Sequence, residues 1–137
     1  MRLTVSSIAA LGVAIACATT STEPHVTADQ ITGAAWKVVS VNGGSAELAP
    51  VTITFGVDGR AGGNAACNSY SAEYKLDGNS LTFGRAISTM KACAEDLMEV
   101  EQRFLATLAN VERGEIAPDG ALVLHARDEG RIVARRT

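Results

Sequence analysis

The chain has 137 residues, enough for one domain, and its 47% apolar and 20% charged residues are typical of a folded globular domain rather than a disordered one. Twelve basic against fifteen acidic side chains give a net charge of −3, which lacks the basic footprint of a nucleic-acid-binding protein. Aromatic residues make up only 4%, which argues against a stacking platform for bases or sugars.

The N-terminus predicts export. Arg2 precedes an uncharged stretch, and the part from Leu3 to Ala18 is too short and too rich in Ser and Thr for a membrane-spanning helix. We therefore expect residues 1–16 to be a signal peptide. The closing Ala14-Ile15-Ala16-Cys17 resembles a bacterial lipobox, although Ala14 stands where Leu is usual.

This resemblance predicts a lipoprotein whose lipid at Cys17 attaches it to a membrane. Ala18, rather than Asp, follows the cysteine, so we expect the outer membrane, with the protein facing the periplasm. The alternative is cleavage at the same small-x-small pattern and a free periplasmic protein. Residues 17–30 are rich in Thr and interrupted by Pro24, which indicates a flexible tether, and His25 is expected to be a solvated linker histidine.

The domain is expected at residues 31–137 and begins with strand patterns. Ala35–Val41 is rich in β-branched residues and ends in an Asn-Gly-Gly turn, and residues 51–55 alternate apolar with Thr. Asp58-Gly59 predicts a type I′ hairpin turn into a strand at 61–65. Within it, Gly62-Gly63 indicates a bulge or a close backbone approach. Further strands are predicted at 70–76, 81–83, 122–125 and 131–135, with a short extended piece at 85–90.

One segment has the period of a helix. A single apolar stripe is formed by Leu97, Val100, Phe104, Leu108 and Val111. Glu95 and Asp96 fall in its first turn, where the helix dipole favours negative charge, and Asn110 and Gly114 are the predicted stop. The fold class is therefore α+β, a mostly antiparallel sheet with one amphipathic helix packed on it.

Once Cys17 is assigned to lipid, Cys67 and Cys93 remain as a pair. In an exported domain an even pair favours a disulfide. Two buried free thiols are the alternative. A metal site ranks last, because two sulfurs without a neighbouring Cys or His do not complete a zinc shell.

Two blocks around these cysteines resemble a known family. Gly63-Asn64-Ala65-Ala66-Cys67-Asn68-Ser69-Tyr70-Ser71-Ala72-Glu73-Tyr74 is similar to the Gly-x-x-x-Cys-Asn-x-Tyr-x-Gly-x-Tyr signature of the META domain, the family of the heat-shock lipoprotein HslJ. Ser88-Thr89-Met90-Lys91-Ala92-Cys93 resembles its Thr-x-Met-Ala-Cys block. The matching motif positions are Asn68, Tyr70, Tyr74, Thr89 and Met90, whereas Ala72 replaces a usual glycine.

The resemblance implies a barrel-like or strongly curved antiparallel sheet flanked by a helix, on an exported or lipid-anchored protein. It also implies a role in heat shock or another envelope stress response. It implies no established reaction and no cofactor.

Sequence motifs for catalysis are missing: there is no Gly-x-Ser-x-Gly, no His-Glu-x-x-His and no phosphate loop. His125 has no nucleophile of matching context, and we expect a partly exposed strand histidine. The carboxylates Glu73, Glu95, Asp96 and Glu99 are expected on solvated faces. We therefore expect no enzyme, catalytic residue or metal, with a hydrolase using His125 and these carboxylates as the minority alternative.

A binding role is favoured instead. The candidate partners are an envelope protein and an apolar ligand such as a lipid tail in the mouth of the sheet. The alternative is an inhibitor or chaperone-like module that acts on other envelope proteins by edge-strand pairing. No nucleic acid is expected, and the protein is expected to be a monomer.

Overall fold

The computed structural model describes residues 9–18 and 23–137. Parts of the expected signal peptide and tether, residues 1–8 and 19–22, lie outside the described residues. Residues 9–18 have no assigned helix or strand, and they are exposed, including the unbonded Cys17. In the part of the chain that the structure describes, no helix is both long enough and apolar enough to cross a membrane.

The domain consists of ten strands and two helices in the described residues. The helices are α1 (Ala28–Ile31) and α2 (Glu95–Leu108). The strands are β1 (Ala35–Val41), β2 (Gly44–Ser45), β3 (Thr52–Phe55), β4 (Arg60–Asn64), β5 (Ser69–Asp77), β6 (Ser80–Phe83), β7 (Ile87–Ser88), β8 (Val111–Ile116), β9 (Leu122–Ala126) and β10 (Arg131–Arg136).

All pairings between these strands are antiparallel, and the sheet curls into a nearly closed barrel. Its order is β6-β5-β4-β3-β1-β10-β9-β8, with β2 added to β1 and β7 added to β5. The two end strands, β6 and β8, face each other across a seam. The fold therefore confirms the expected α+β class and the barrel-like sheet.

The interior of the barrel is filled by side chains. Along β3 the predicted alternation is confirmed, because Ile53 and Phe55 are buried while Thr54 is exposed. Trp36 from β1 and Phe104 from α2 are fully buried in the same core. This packing gives no support to a lipid tail inside the barrel, and that partner stays a prediction.

The packed domain starts earlier than expected. Val26, assigned to the tether from its surroundings in sequence, is buried, and its N–H donates to Gly114 O at 3.0 Å. A Cβ on Gly114 would lie 2.9 Å from Val26 Cγ1 and 3.1 Å from Leu81 Cδ2. Val26 therefore fills the seam between β6 and β8, and α1 follows it directly.

The long helix ends earlier than predicted, and the last predicted helical residues belong to the next strand. The helix ends at Leu108, whereas Val111 and Gly114, expected as its last stripe residue and its stop, lie in β8. Apolar residues at 108 and 111 satisfy both a helix stripe and a buried strand start, so periodicity alone does not separate them. Asn110 does act at the helix end, where its Nδ2 donates to Ala106 O at 3.0 Å.

The type I′ turn is not at the predicted position, Asp58-Gly59. The type I′ turn lies at Asn42-Gly43, where both residues have positive φ, 51° and 79°. At the expected position only Gly59 has positive φ, and the loop between β3 and β4 spans residues 56–59. Gly63 marks a close approach rather than a bulge, because a Cβ there would lie 2.5 Å from Thr52 O and the β4–β5 register is unbroken.

Candidate functional site

Cys67 and Cys93 form a disulfide with their Cα atoms 5.9 Å apart. Cys67 follows β4, and Cys93 lies just before α2, so the bond ties the sheet to the start of the helix. In residues 9–18 and 23–137 no cluster of three or more His, Cys, Asp or Glu side chains could hold a metal ion. The two cysteines are therefore a covalent support of the family motif.

Asn68 is the centre of a buried hydrogen-bond network. Its Oδ1 accepts from Thr89 Oγ1 at 2.9 Å and from Lys91 N at 2.7 Å, and its Nδ2 donates to Lys91 O at 3.2 Å. Thr89 Oγ1 also accepts from Ser69 N at 3.2 Å. The Asn68 side chain thus joins the two motif blocks, which are distant in sequence.

Glu101 completes this network from α2. Its Oε2 accepts from Asn68 Nδ2 at 2.9 Å and its Oε1 accepts from Asn68 N at 2.9 Å, although the residue is buried. The sequence pattern does not predict Glu101 as a site residue. Glu101 directly follows Val100 of the apolar stripe, and this position by itself does not predict that Glu101 is buried and bonded to Asn68.

The motif tyrosines pack with their hydroxyls bonded to backbone. Tyr70 donates to Thr52 O at 2.9 Å, and its ring meets Phe104 edge-on at 5.4 Å between centroids. Burial raises the pKa of Tyr70 far above its usual value. Tyr74 donates to Gly56 O, and burial first, then the Asp58 charge, raises the pKa of Tyr74. Both hydroxyls are therefore held neutral and act as structural donors.

The second motif block lies in an exposed extended segment, residues 84–92, which we call the β7 segment. It contains β7, and the Asn68 bonds to Thr89 and Lys91 hold its second half against the domain. Two apolar side chains on it are nevertheless bare: Ile87 is 71% exposed and Met90 is 96% exposed. Of the five motif positions, Met90 alone is turned to solvent as a large apolar group.

Ala66, between β4 and the disulfide, has a strained backbone. Its φ is +80°, in the left-handed region that L-residues with a Cβ avoid. It is buried, and its N–H donates to Pro50 O at 3.4 Å. Ala72, the residue that replaces the usual glycine of the signature, lies instead in regular β5 opposite Ala61. Ala fits there without strain.

His125 has an acidic partner that the sequence pattern does not predict. Its Nε2 lies 3.1 Å from Glu115 Oε1 across β8 and β9, and Arg113 Nη1 lies 3.8 Å from Glu115 Oε2. Glu115 pairs with Val123, two residues before His125, so the contact is a diagonal cross-strand pair that needs the register to be seen. Neither β5 nor β7 pairs with these strands, and the histidine therefore belongs to a different part of the barrel from the motif.

The other expected positions are separated. Glu73 is exposed and lies 3.8 Å from Arg60, and Glu95, Asp96 and Glu99 are exposed on α2. His25 is partly exposed, with its Nδ1 3.2 Å from Glu23 O. None of these carboxylates is the partner of His125. The motif brings together a disulfide, and an amide and a carboxylate that are hydrogen-bonded to each other, beneath an exposed surface segment.

These features define a small, disulfide-closed α+β barrel domain. A family model for the META domain matches residues 29–137, and the chain therefore belongs to the META domain family. Among curated proteins, none matches this chain significantly.

Two solved structures are similar in fold. One, an NMR structure of a protein from Burkholderia xenovorans, is 19% identical, with a TM-score of 0.66, and the match covers 100% of this chain and 99% of that one. A second NMR structure is 25% identical, with a TM-score of 0.63, and the match covers 79% of this chain and 93% of that one. Both likenesses concern the fold, which recurs at low sequence identity.

Proposed function

We propose that this protein is a lipoprotein of the bacterial envelope, anchored in the outer membrane through Cys17, whose META domain binds another envelope protein without catalysing a reaction. The export signal and the lipobox resemblance support the anchor. Eight residues separate Cys17 from Val26, and the fully extended chain between the two Cα atoms spans about 30 Å. Such an anchor keeps the domain close to the membrane surface.

The observation that carries the binding role is the β7 segment. Its far side pairs with no other strand in the described residues, and it exposes Ile87 and Met90 while the Asn68 network holds it in place. A segment whose backbone is already ordered loses little conformational entropy on association, and a partner that covered Ile87 and Met90 would remove apolar surface from water. The polar atoms of the motif, by contrast, bond to one another and are engaged in maintaining that surface.

The anchor is tested by the intact mass of the full-length protein purified from a bacterial membrane fraction. We expect a mature N-terminus at Cys17 that carries acyl groups, and we expect the Cys17→Ser variant to lose them. A soluble protein without lipid would contradict the anchor and favour the free periplasmic alternative.

The binding role is tested by photo-crosslinking in living cells. A photoreactive amino acid replaces Met90 in one strain and Leu48, which is also fully exposed, in a control strain. We expect adducts with an envelope protein from position 90 and few from position 48. Equal labelling at both positions, or none at position 90, would contradict a binding surface at the β7 segment.

A hydrolase remains the second candidate, and the His125–Glu115 contact is the observation that favours it. If the role is non-catalytic, His125→Gln and Glu115→Gln leave the tolerance of cells to heat or envelope stress unchanged, while Met90→Asp impairs it. The reverse pattern would favour catalysis on β8 and β9.

A further inference from the structure

We propose that the free edge of β7 takes up an extended, acidic segment of a partner polypeptide as an added strand. This inference rests on the proposed function and names the chemistry of the partner that the β7 segment recognises.

Within residues 9–18 and 23–137, the backbone of β7 is paired on one side only. Tyr70 and Ser71 of β5 lie opposite Ser88 and Ile87, and Thr89 N donates to Ser69 O at 3.0 Å. Because alternate residues of an antiparallel strand turn their N–H and C=O groups to opposite sides, Ser88 directs its backbone groups away from β5. Such groups on a sheet edge bind an incoming extended chain by main-chain hydrogen bonds.

The edge is held ready before any partner arrives. Asn68 bonds to both Lys91 N and Lys91 O, and the disulfide fixes Cys93 just beyond the segment. A backbone fixed in the bound conformation loses little entropy on association. The exposed Ile87 also borders a surface cavity of about 270 Å³ that Ser71 and Arg85 help to line, which offers a place for a partner side chain.

Charge selects the partner. Arg85 and Lys91 are both exposed, and no acidic residue lies between Gly84 and Ala94. The acidic residues nearest along the chain are Glu95 and Asp96, in the first turn of α2. On the neighbouring β5, the negative charge of Glu73 has its own counter-charge, because Arg60 Nη1 lies 3.8 Å from Glu73 Oε1. The edge therefore presents two cations six positions apart, which suits an extended segment with carboxylates at the same spacing.

The same charges disfavour a second copy of this chain. In a two-fold antiparallel pairing of β7 with itself centred on Ser88, Arg85 of one copy lies opposite Lys91 of the other, and like charges directly opposite each other destabilise a pair of strands. The positive charges at this edge therefore disfavour self-association and favour pairing with an acidic strand.

The first test uses synthetic peptides of alternating Thr and Val, with either two Glu or two Lys residues placed six positions apart. Binding is followed by NMR from the amide signals of residues 84–92 of the full-length Cys17→Ser protein, which is expected to carry no lipid. We expect the Glu peptide to shift Ser88 and Met90 and to bind about tenfold more tightly than the Lys peptide, since two exposed charge pairs change sign. The double variant Arg85→Glu/Lys91→Glu should reverse the preference.

The second test needs no partner. Arg85→Glu converts both Arg85–Lys91 juxtapositions of the symmetric pairing into opposite charges, so this variant should dimerise measurably more than the wild type in sedimentation equilibrium. Lys75→Glu, at an exposed position of β5, makes the same change in net charge and should not increase dimerisation.

Loss of the charge preference, or shifts located away from residues 84–92, would overturn the acidic-strand inference. No binding of the Glu peptide at millimolar concentration would do the same. Crosslinks from position 90 in cells would then still support a binding role of another kind, whereas their absence would remove the proposed function itself.

Discussion

At the scale of single residues, two buried alanines of the motif differ in backbone conformation, and a comparison of their glycine variants shows whether Ala66 is strained. Ala66 has a φ of +80°, whereas Ala72 lies in regular β5. Replacing either with glycine removes a buried methyl and adds freedom to the unfolded chain, which together cost about 1–2 kcal/mol. At Ala66 alone, the substitution also relieves backbone strain, since a left-handed Ala costs about 1–2 kcal/mol, and this relief offsets the loss of stability.

We therefore expect Ala66→Gly to be near neutral and Ala72→Gly to lower the free energy of unfolding by about 1–2 kcal/mol. Urea unfolding of the two variants measures this difference. Equal losses at the two positions would show that Ala66 is not strained.

The Tyr70 hydroxyl predicts how stability responds to alkaline pH. Burial raises its pKa above the value near 10 of an exposed tyrosine, so the unfolded chain releases this proton first as pH rises. The contribution is fully present below pH 10 and is lost above it, at about 1.4 kcal/mol per pH unit for one group.

Tyr70→Phe loses the bond to Thr52 O and should be less stable at pH 8 by about 1 kcal/mol. Above pH 10 its free energy of unfolding should fall less steeply than that of the wild type, as measured by urea unfolding at several pH values. Parallel curves for the two proteins would contradict the assignment.

At the scale of elements, the seam between β6 and β8 depends on a missing side chain. Val26 occupies the space beside Gly114, and a Cβ on Gly114 would also meet Leu81 and Leu124. Overpacking of this kind costs about 1–3 kcal/mol. We expect Gly114→Ala to be destabilising by that amount, and we expect the cost to be smaller in a Val26→Ala background.

The double-mutant cycle measures this coupling, for which about 1 kcal/mol is expected between contacting residues. Gly84→Ala is the matched control, since its added Cβ meets nothing closer than 3.7 Å. Additive losses at Gly114 and Val26 would mean that Val26 does not close the seam.

At the scale of the whole molecule, the Cys67–Cys93 bond closes a loop with a sequence separation of 26 residues. The chain-entropy relation gives about 3.5 kcal/mol for such a loop, a large share of the 5–15 kcal/mol that usually stabilises a domain. Reduction, or the double variant Cys67→Ser/Cys93→Ser, should lower the free energy of unfolding by this order.

Cys17→Ser provides the control, because Cys17 is exposed and unbonded, and its stability should equal that of the wild type. Thermal or urea unfolding with and without reductant measures both. Alkylation of Cys67 and Cys93 in the native protein before reduction would contradict the bond.

Local patterns were enough for the parts of this fold that depend on neighbours in sequence. The alternation of Ile53 and Phe55 predicts a half-buried strand because side chains on a strand alternate in direction. The stripe from Leu97 to Leu108 predicts α2 because 3.6 residues per turn bring these side chains to one face. The Cys67-Asn68 block likewise identified the motif, although not the contacts that Asn68 makes.

What remained for the tertiary structure depends on residues distant in sequence. Glu101 reaches Asn68 only after α2 has packed on the sheet, and Glu115 meets His125 only through the register of β8 and β9. Val26 belongs to the core because an open seam elsewhere in the barrel accepts it, and nothing next to it in sequence carries that information. The sequence by itself determined the class of fold and the motif, because these arise from short-range periodicity and from residues close together in the chain. The network behind the motif and the exposed edge of β7 were decided by long-range packing.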